Sequence, residues 1–170
     1  MFQYGQASAP AAKRYVSRNK GSNAVARIGI LNCSNATQEL GCSSVVCLAD
    51  FRKRKGAFAS YPKEEQLTLV GIINCPGCPT LTGPDKLLNR IKGLTEFKID
   101  TIHLSFCMKA LCPFTEKYIK ALAEAFPAIR VVLGTHEENE SPEQYRQRIK
   151  KLFNQDRKSM VDVILQRDSG

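Results

Sequence analysis

No apolar run in this chain approaches the roughly 20 residues that a helix needs to cross a bilayer, so no membrane partner is expected. No apolar secretory h-region is present either, which points to a reducing compartment. Arg and Lys do not form a block interleaved with aromatics, and no nucleic-acid-binding signature occurs. Nucleic acid is therefore not the expected partner, although the net charge of +9 would tolerate an anionic one. That charge is read as spread over solvated helix faces. Residues 1–25 contain no acid and carry Lys13, Arg14, Arg18 and Lys20 among Ala, Ser, Gly, Asn and Gln. This composition predicts a disordered basic tail, with an organelle transit peptide as the alternative. Internal repeats and low-complexity segments are absent.

What is present fits one globular domain over residues 26–170. The 170 residues are 43% hydrophobic and 24% charged, ordinary values for a chain that builds its own core. Such a chain needs no disulfide staples, yet it holds seven cysteines, an odd number. In a reducing, cytoplasmic setting those thiols serve packing, metal binding or redox chemistry.

Apolar runs alternate with amphipathic stretches. Residues 27–32 (Arg-Ile-Gly-Ile-Leu-Asn) predict a buried strand that ends in Cys33. A polar loop and a helix near 43–55 follow, with Gly56 as its stop. Residues 66–73 predict a second strand, ending in Cys75 and Cys78. Gly83-Pro84-Asp85 opens a helix whose Leu87, Leu88, Ile91 and Leu94 share one face. Residues 100–106 predict a third strand, ending in Cys107, with Cys112 just beyond. Pro113 begins the next helix. Residues 129–133 predict a fourth strand that runs into Gly134-Thr135-His136, and Ser141-Pro142-Glu143 caps a further helix. Residues 160–165 fit either a fifth strand or a last helical turn.

Strand and helix alternating four times predicts an α/β fold. The expected form is an open parallel sheet of four or five strands with helices on both faces, a Rossmann-like or flavodoxin-like three-layer sandwich. Right-handed crossovers bring every strand's carboxyl end to one edge, and ligands of open sheets bind along that edge. The edge then gathers Cys33, Cys75, Cys78, Cys107 and His136. No strand requires a thiol at its end, so the recurrence points to a site. Within it, Cys75-Pro76-Gly77-Cys78 has the spacing that holds a soft metal or forms a redox disulfide.

The motifs resemble the CGGC domain family over about Arg27 to His136. Residues 27–33, Cys42 with Cys47, residues 56–61 (Gly-Ala-Phe-Ala-Ser-Tyr), 70–79, 102–107, Cys112-Pro113 and Gly134-Thr135-His136 carry the resemblance by their order and spacing. Two positions depart from it. The name-giving Cys-Gly-Gly-Cys is Cys-Pro-Gly-Cys here, and Phe114 stands where relatives often have His. The resemblance implies a metal site more than an activity.

Cys33, Cys75, Cys78 and Cys107, with His136 as a fifth candidate, form a donor set that suits zinc. Four thiolates suit an iron–sulfur cluster equally. Cys42 and Cys47 would point about 140° apart on one helix, which favours packing unless Cys42 precedes the helix. Cys112 stands at a helix start, where the positive end would activate it. His103 lies inside a strand and reads as a satisfied core histidine. A different class of function is a thiol–disulfide oxidoreductase with Cys75 as nucleophile and Cys78 resolving. A third is nucleotide or flavin binding at the same edge. No Gly-x-Gly-x-x-Gly follows the first strand, but the Ser, Asn and Thr of residues 34–37 offer hydroxyls and N–H groups to a phosphate.

Overall fold

The computed structural model describes residues 25–78 and 83–153, together with residue 164. The expected tail at 1–25, apart from its last residue, and most of the undecided 160–165 segment lie outside the described residues. Four strands form one sheet: β1 (Val25–Asn32), β2 (Gln66–Asn74), β3 (Thr101–Leu104) and β4 (Arg130–Leu133). All neighbours are parallel, in the order β2-β1-β3-β4. The chain thus builds outward from β1 to β2, then crosses back to place β3 and β4 on β1's other side.

Among the described residues there are six helices: α1 (Ser34–Gln38), α2 (Val45–Lys53), α3 (Gly83–Thr95), α4 (Phe106–Leu111) and α5 (Thr115–Ala125) between strands, and α6 (Pro142–Phe153) after β4. A 3-10 segment, Gly56–Ser60, follows α2. Side chains alternate across a strand, and both faces of this sheet are covered. On one face Leu31, Ile102 and Leu104 pack with Leu87, Ile91 and Leu94 of α3 and with Tyr118 and Leu122 of α5. On the other, Ala26, Ile28 and Ile30 pack with Cys47 of α2 and with Phe58 and Tyr61. Fully burying each large apolar side chain contributes roughly 1.5–3 kcal/mol. Gly29 is required by the first face: a Cβ there would stand 3.1 Å from both Ile102 and Leu94.

Several boundaries differ from the sequence expectation. The polar stretch after Cys33 folds into α1. The third strand stops at Leu104: the Ser105 N–H still donates to Leu31 O at 3.0 Å, and the chain then turns into α4. Cys107 therefore sits in the first turn of a helix. Gly56 does not terminate α2; Arg54 does, at φ 52. The cap of α6 is as expected: the Gln144 N–H donates to Ser141 Oγ at 3.1 Å, and Gln144 Oε1 accepts the Ser141 N–H at 2.8 Å. Among the described residues, no helix is long and apolar enough to cross a membrane.

Candidate thiol site at the carboxyl edge

The order β2-β1-β3-β4 reverses direction between β1 and β3. Their carboxyl ends form the switch point where open parallel sheets take ligands. Cys33 follows β1, Cys75 follows β2, and Cys107 follows β3. All seven cysteines are free thiols; Cys33, Cys47, Cys75 and Cys107 are buried, while Cys42 and Cys78 are exposed.

Cys33 and Cys75 are joined by a side-chain hydrogen bond across the ends of the two strands. Cys75 Sγ also accepts the Ser34 N–H at 3.2 Å. The Cys33 S–H bond, with the N–H groups of Ser34 and Gly77 and the Arg90 charge, holds Cys75 well below the usual thiol range, at about 5, against the opposing effect of burial. Cys33 donates that hydrogen bond, and the loss of it together with burial pushes the Cys33 thiol up. The two thiols are thus shifted in opposite directions, Cys75 toward the thiolate and Cys33 toward the protonated thiol. Arg90 reaches the same turn from α3, donating to Asn74 O at 2.7 Å and to Cys75 O at 3.1 Å.

Cys107 is tied to the same point without joining the pair. Its Sγ accepts the Cys33 N–H at 3.4 Å and shares a 2.9 Å hydrogen bond with the Ser105 hydroxyl. Burial pushes its thiol up. Partial burial and the Cys75 charge do the same to Cys78. Burial also raises Cys112, which lies near enough to feel Cys78 and Cys75.

His136 lines a cavity of about 330 Å³ with Cys42, Cys47 and Cys107, whereas Cys33 and Cys75 are not among its walls. Its ring stands 5.2 Å from that of Phe106. The turn carrying it is fixed from three sides. The Ala57 N–H donates to Thr135 O at 2.9 Å, and the Glu137 N–H donates to Asp50 Oδ2 at 2.7 Å. Thr135 shares a 3.3 Å hydrogen bond with Cys47 Sγ and accepts the Phe106 N–H. Cys42 precedes α2, so the two cysteines are not held apart by one helix.

The structure thus brings Cys33 and Cys75 into contact, sets Cys107 against the Cys33 backbone, and leaves Cys78 exposed beside Cys75. Among the described residues, no three His, Cys, Asp or Glu side chains are grouped so as to hold one metal ion. The donor chemistry suits a soft ion, since the surroundings of Cys75 favour its thiolate; the preformed element is a pair, not a closed cage. The N–H groups of Cys33 and Ser34, which a phosphate cradle would use, are spent on sulfur.

His103 is a core residue. It is fully buried, its Nδ1–H donates to Gly134 O at 2.9 Å, and its Nε2 accepts the Tyr61 hydroxyl at 2.8 Å. Burial lowers its pKa to about 4.

Sequence reasoning missed Asn32, Ser44, Ser105, Tyr145 and Arg148, which line the cavity with His136. One signal was available: Asn-Cys ends both β1 and β2, and Asn32 pairs with Asn74 in register. A polar residue closing two adjacent buried strands marks the edge where chemistry can sit.

Comparison with known proteins gives one match. The family model described as the CGGC domain matches residues 27–136, the span that holds all seven cysteines and both histidines. No curated protein and no solved structure matches the chain.

Proposed function

The chain belongs to the CGGC domain family, and from that premise we propose that it binds a soft or borderline metal ion, zinc first, through thiolates at the carboxyl edge of its sheet. The observation that carries this reading is the Cys33–Cys75 pair. Metal ligation needs deprotonated sulfur, and Cys75 is held in that form by donors from α1, the 75–78 loop and Cys33. Cys33 and Cys75 would be the first two ligands. Cys78 and Cys107 are the nearest further thiols, with His136 as the borderline nitrogen donor. Bound zinc would supply a cross-link between the ends of β1 and β2 and, with a coordination position open, a Lewis acid. An iron–sulfur cluster would draw on the same thiols.

The chain's own part is to give up one proton. Cys75 has already lost its own, so ligation by the pair releases about one proton, from Cys33, at pH 7. Elemental analysis of protein purified without added metal, followed by zinc titration with proton counting, tests this. The expected result is one zinc equivalent and about one proton from the pair, both lost in Cys75→Ser and kept in Cys112→Ser. Zinc absent as isolated and not taken up on titration would overturn the reading. Iron with sulfide would move it to a cluster.

A specific observation favours a second reading, thiol–disulfide exchange. A thiolate at Cys75 is a nucleophile, and two thiols can resolve it: Cys33 in contact and Cys78 three residues on. Cys75 attacks a substrate disulfide and releases one thiolate. Cys33 or Cys78 then attacks the mixed disulfide and releases the second, so two electrons pass from the protein dithiol to the substrate. Mild oxidation of metal-free protein, with mapping of the bond formed, distinguishes the two resolving thiols. Free alkylation of Cys33, Cys75 and Cys78 after oxidation would exclude both.

A further inference from the structure

The cavity beside Cys107 shares Cys107 and His136 with the metal reading, but its other walls describe a ligand of their own. We propose that it binds a small amino-acid-like molecule, a hydrogen-bond donor joined to a carboxylate, of the size of a free amino acid or dipeptide. The position is the switch point between β1 and β3, and about 330 Å³ is the lower end of the range for small-ligand pockets.

Asn32 carries the first argument. It is 2% exposed and lines the cavity. Its Nδ2 donates to Ser44 Oγ at 2.5 Å, but its Oδ1 accepts no hydrogen bond among the described residues. A buried carbonyl oxygen without a donor is costly to keep, so the site calls for a ligand N–H. Ser44, the residue before α2, stands in the left-handed region at φ 63, a conformation uncommon for non-glycine residues.

Arg148 carries the second. Its Nε and Nη2 donate to Glu140 at 3.3 and 2.6 Å, and its guanidinium lies 4.9 Å over the Tyr145 ring. Glu140 thus occupies one side of the fork and leaves Nη1 without a hydrogen-bond partner among the described residues, open to a second carboxylate. Glu140 and Glu137, both on the cavity wall, attract an ammonium. Between the two ends, Phe106 meets Tyr145 at 5.3 Å and His136 at 5.2 Å, a surface for the ligand's apolar body. The N–H groups that would cradle a phosphate are on sulfur.

The test uses the full chain, with thermal-shift and saturation-transfer measurements against the common L-amino acids, glycylglycine and their methyl esters. Each is run with excess chelator and again with zinc. At least one free acid is expected to bind in both conditions. Its methyl ester and the Arg148→Met variant should each weaken binding about tenfold or more. Arg148 lies on an exposed helix face, and an unchanged melting midpoint shows that the variant folds. Failure of every probe, or binding indifferent to both esterification and Arg148→Met, would overturn the proposal. Binding seen only with zinc would also overturn it, because the ligand would then belong to the thiol site. Loss of zinc binding with amino-acid binding intact would sink the metal reading alone.

Discussion

Two buried polar pairs lie on opposite faces of the same sheet, and burial leaves them in opposite charge states. On the face of α3 and α5, Cys33 and Cys75 hold one negative charge between them. On the face of α2, Tyr61 and His103 stay neutral. Desolvation penalises the charged form in both places. The difference is the supply of hydrogen bonds to that form. Cys75 receives the Cys33 thiol and the N–H groups of Ser34 and Gly77, with Arg90 above it. His103 has one carbonyl and one hydroxyl, and the Arg130 charge nearby opposes protonation. Burial alone does not decide whether a group ionises; the donors aimed at it do.

The largest test of this contrast is Phe58→Ala. Phe58 is fully buried, 4.5 Å from the His103 ring and 5.3 Å from Phe51. Urea unfolding should register a loss of about 3–5 kcal/mol. Water reaching the ring should raise the His103 midpoint from about 4 toward 6.5, read by NMR titration. An unchanged midpoint would mean that something other than desolvation holds His103 neutral.

Next in size is the pH dependence that His103 imposes. Its folded pKa lies below the unfolded value of 6.5, so the unfolded chain takes up the proton first as pH falls. The stability tied to neutral His103 is complete above 6.5 and is lost as pH falls from 6.5 to about 4. The full loss is on the order of 3 kcal/mol. Denaturation curves across that window measure it, and His103→Gln should flatten this part of the slope.

Cys33→Ala sharpens the other side. Without the Cys33 thiol as donor, the Cys75 midpoint should move up from about 5 toward the ordinary 9.0, followed by ultraviolet thiolate absorbance against Cys75→Ala. The linkage of Cys75 runs the same way as that of the histidine, and that of Cys33 runs opposite. Cys75 contributes stability that is complete above pH 9 and lost as pH falls toward 5. Cys33, shifted upward, contributes stability present below 9 and lost as pH rises beyond it. The smallest effect is Arg90→Ala. Arg90 is exposed and acts on Cys75 through its charge, more weakly than the hydrogen bonds do, so the midpoint should rise by less than in Cys33→Ala. Stability should change by no more than about 1 kcal/mol. A rise as large as that of Cys33→Ala would make the guanidinium, and not the thiol, the main donor.

Much of this was legible in the sequence. The runs at 27–32, 66–73 and 129–133 became β1, β2 and β4 within two residues, because a strand buried on both faces must be continuously apolar. The third run misled: Ser105-Phe106 extends the apolar stretch, but those residues belong to the turn into α4. The gathering of thiols at one edge followed from parallel topology alone. The pairing of thiols did not. Cys75 and Cys78 are close in sequence, yet the contact is between Cys75 and Cys33, because β1 and β2 are neighbours in register and end together. His136 lines the cavity together with Cys42, Cys47 and Cys107, a grouping that strand ends alone did not give.

The sequence by itself determined four strands, the longer helices α2, α3, α5 and α6 and a carboxyl edge rich in sulfur, since these depend on apolar runs, caps and the hand of parallel crossovers. Only the tertiary structure decided the order β2-β1-β3-β4, the partner of Cys75, the charge that Cys75 carries and the cavity floored by Asn32. Each of those rests on groups from different elements meeting across space: a thiol from β1, an N–H from α1 and a guanidinium from α3 around one sulfur. A local pattern does not encode which of them will meet.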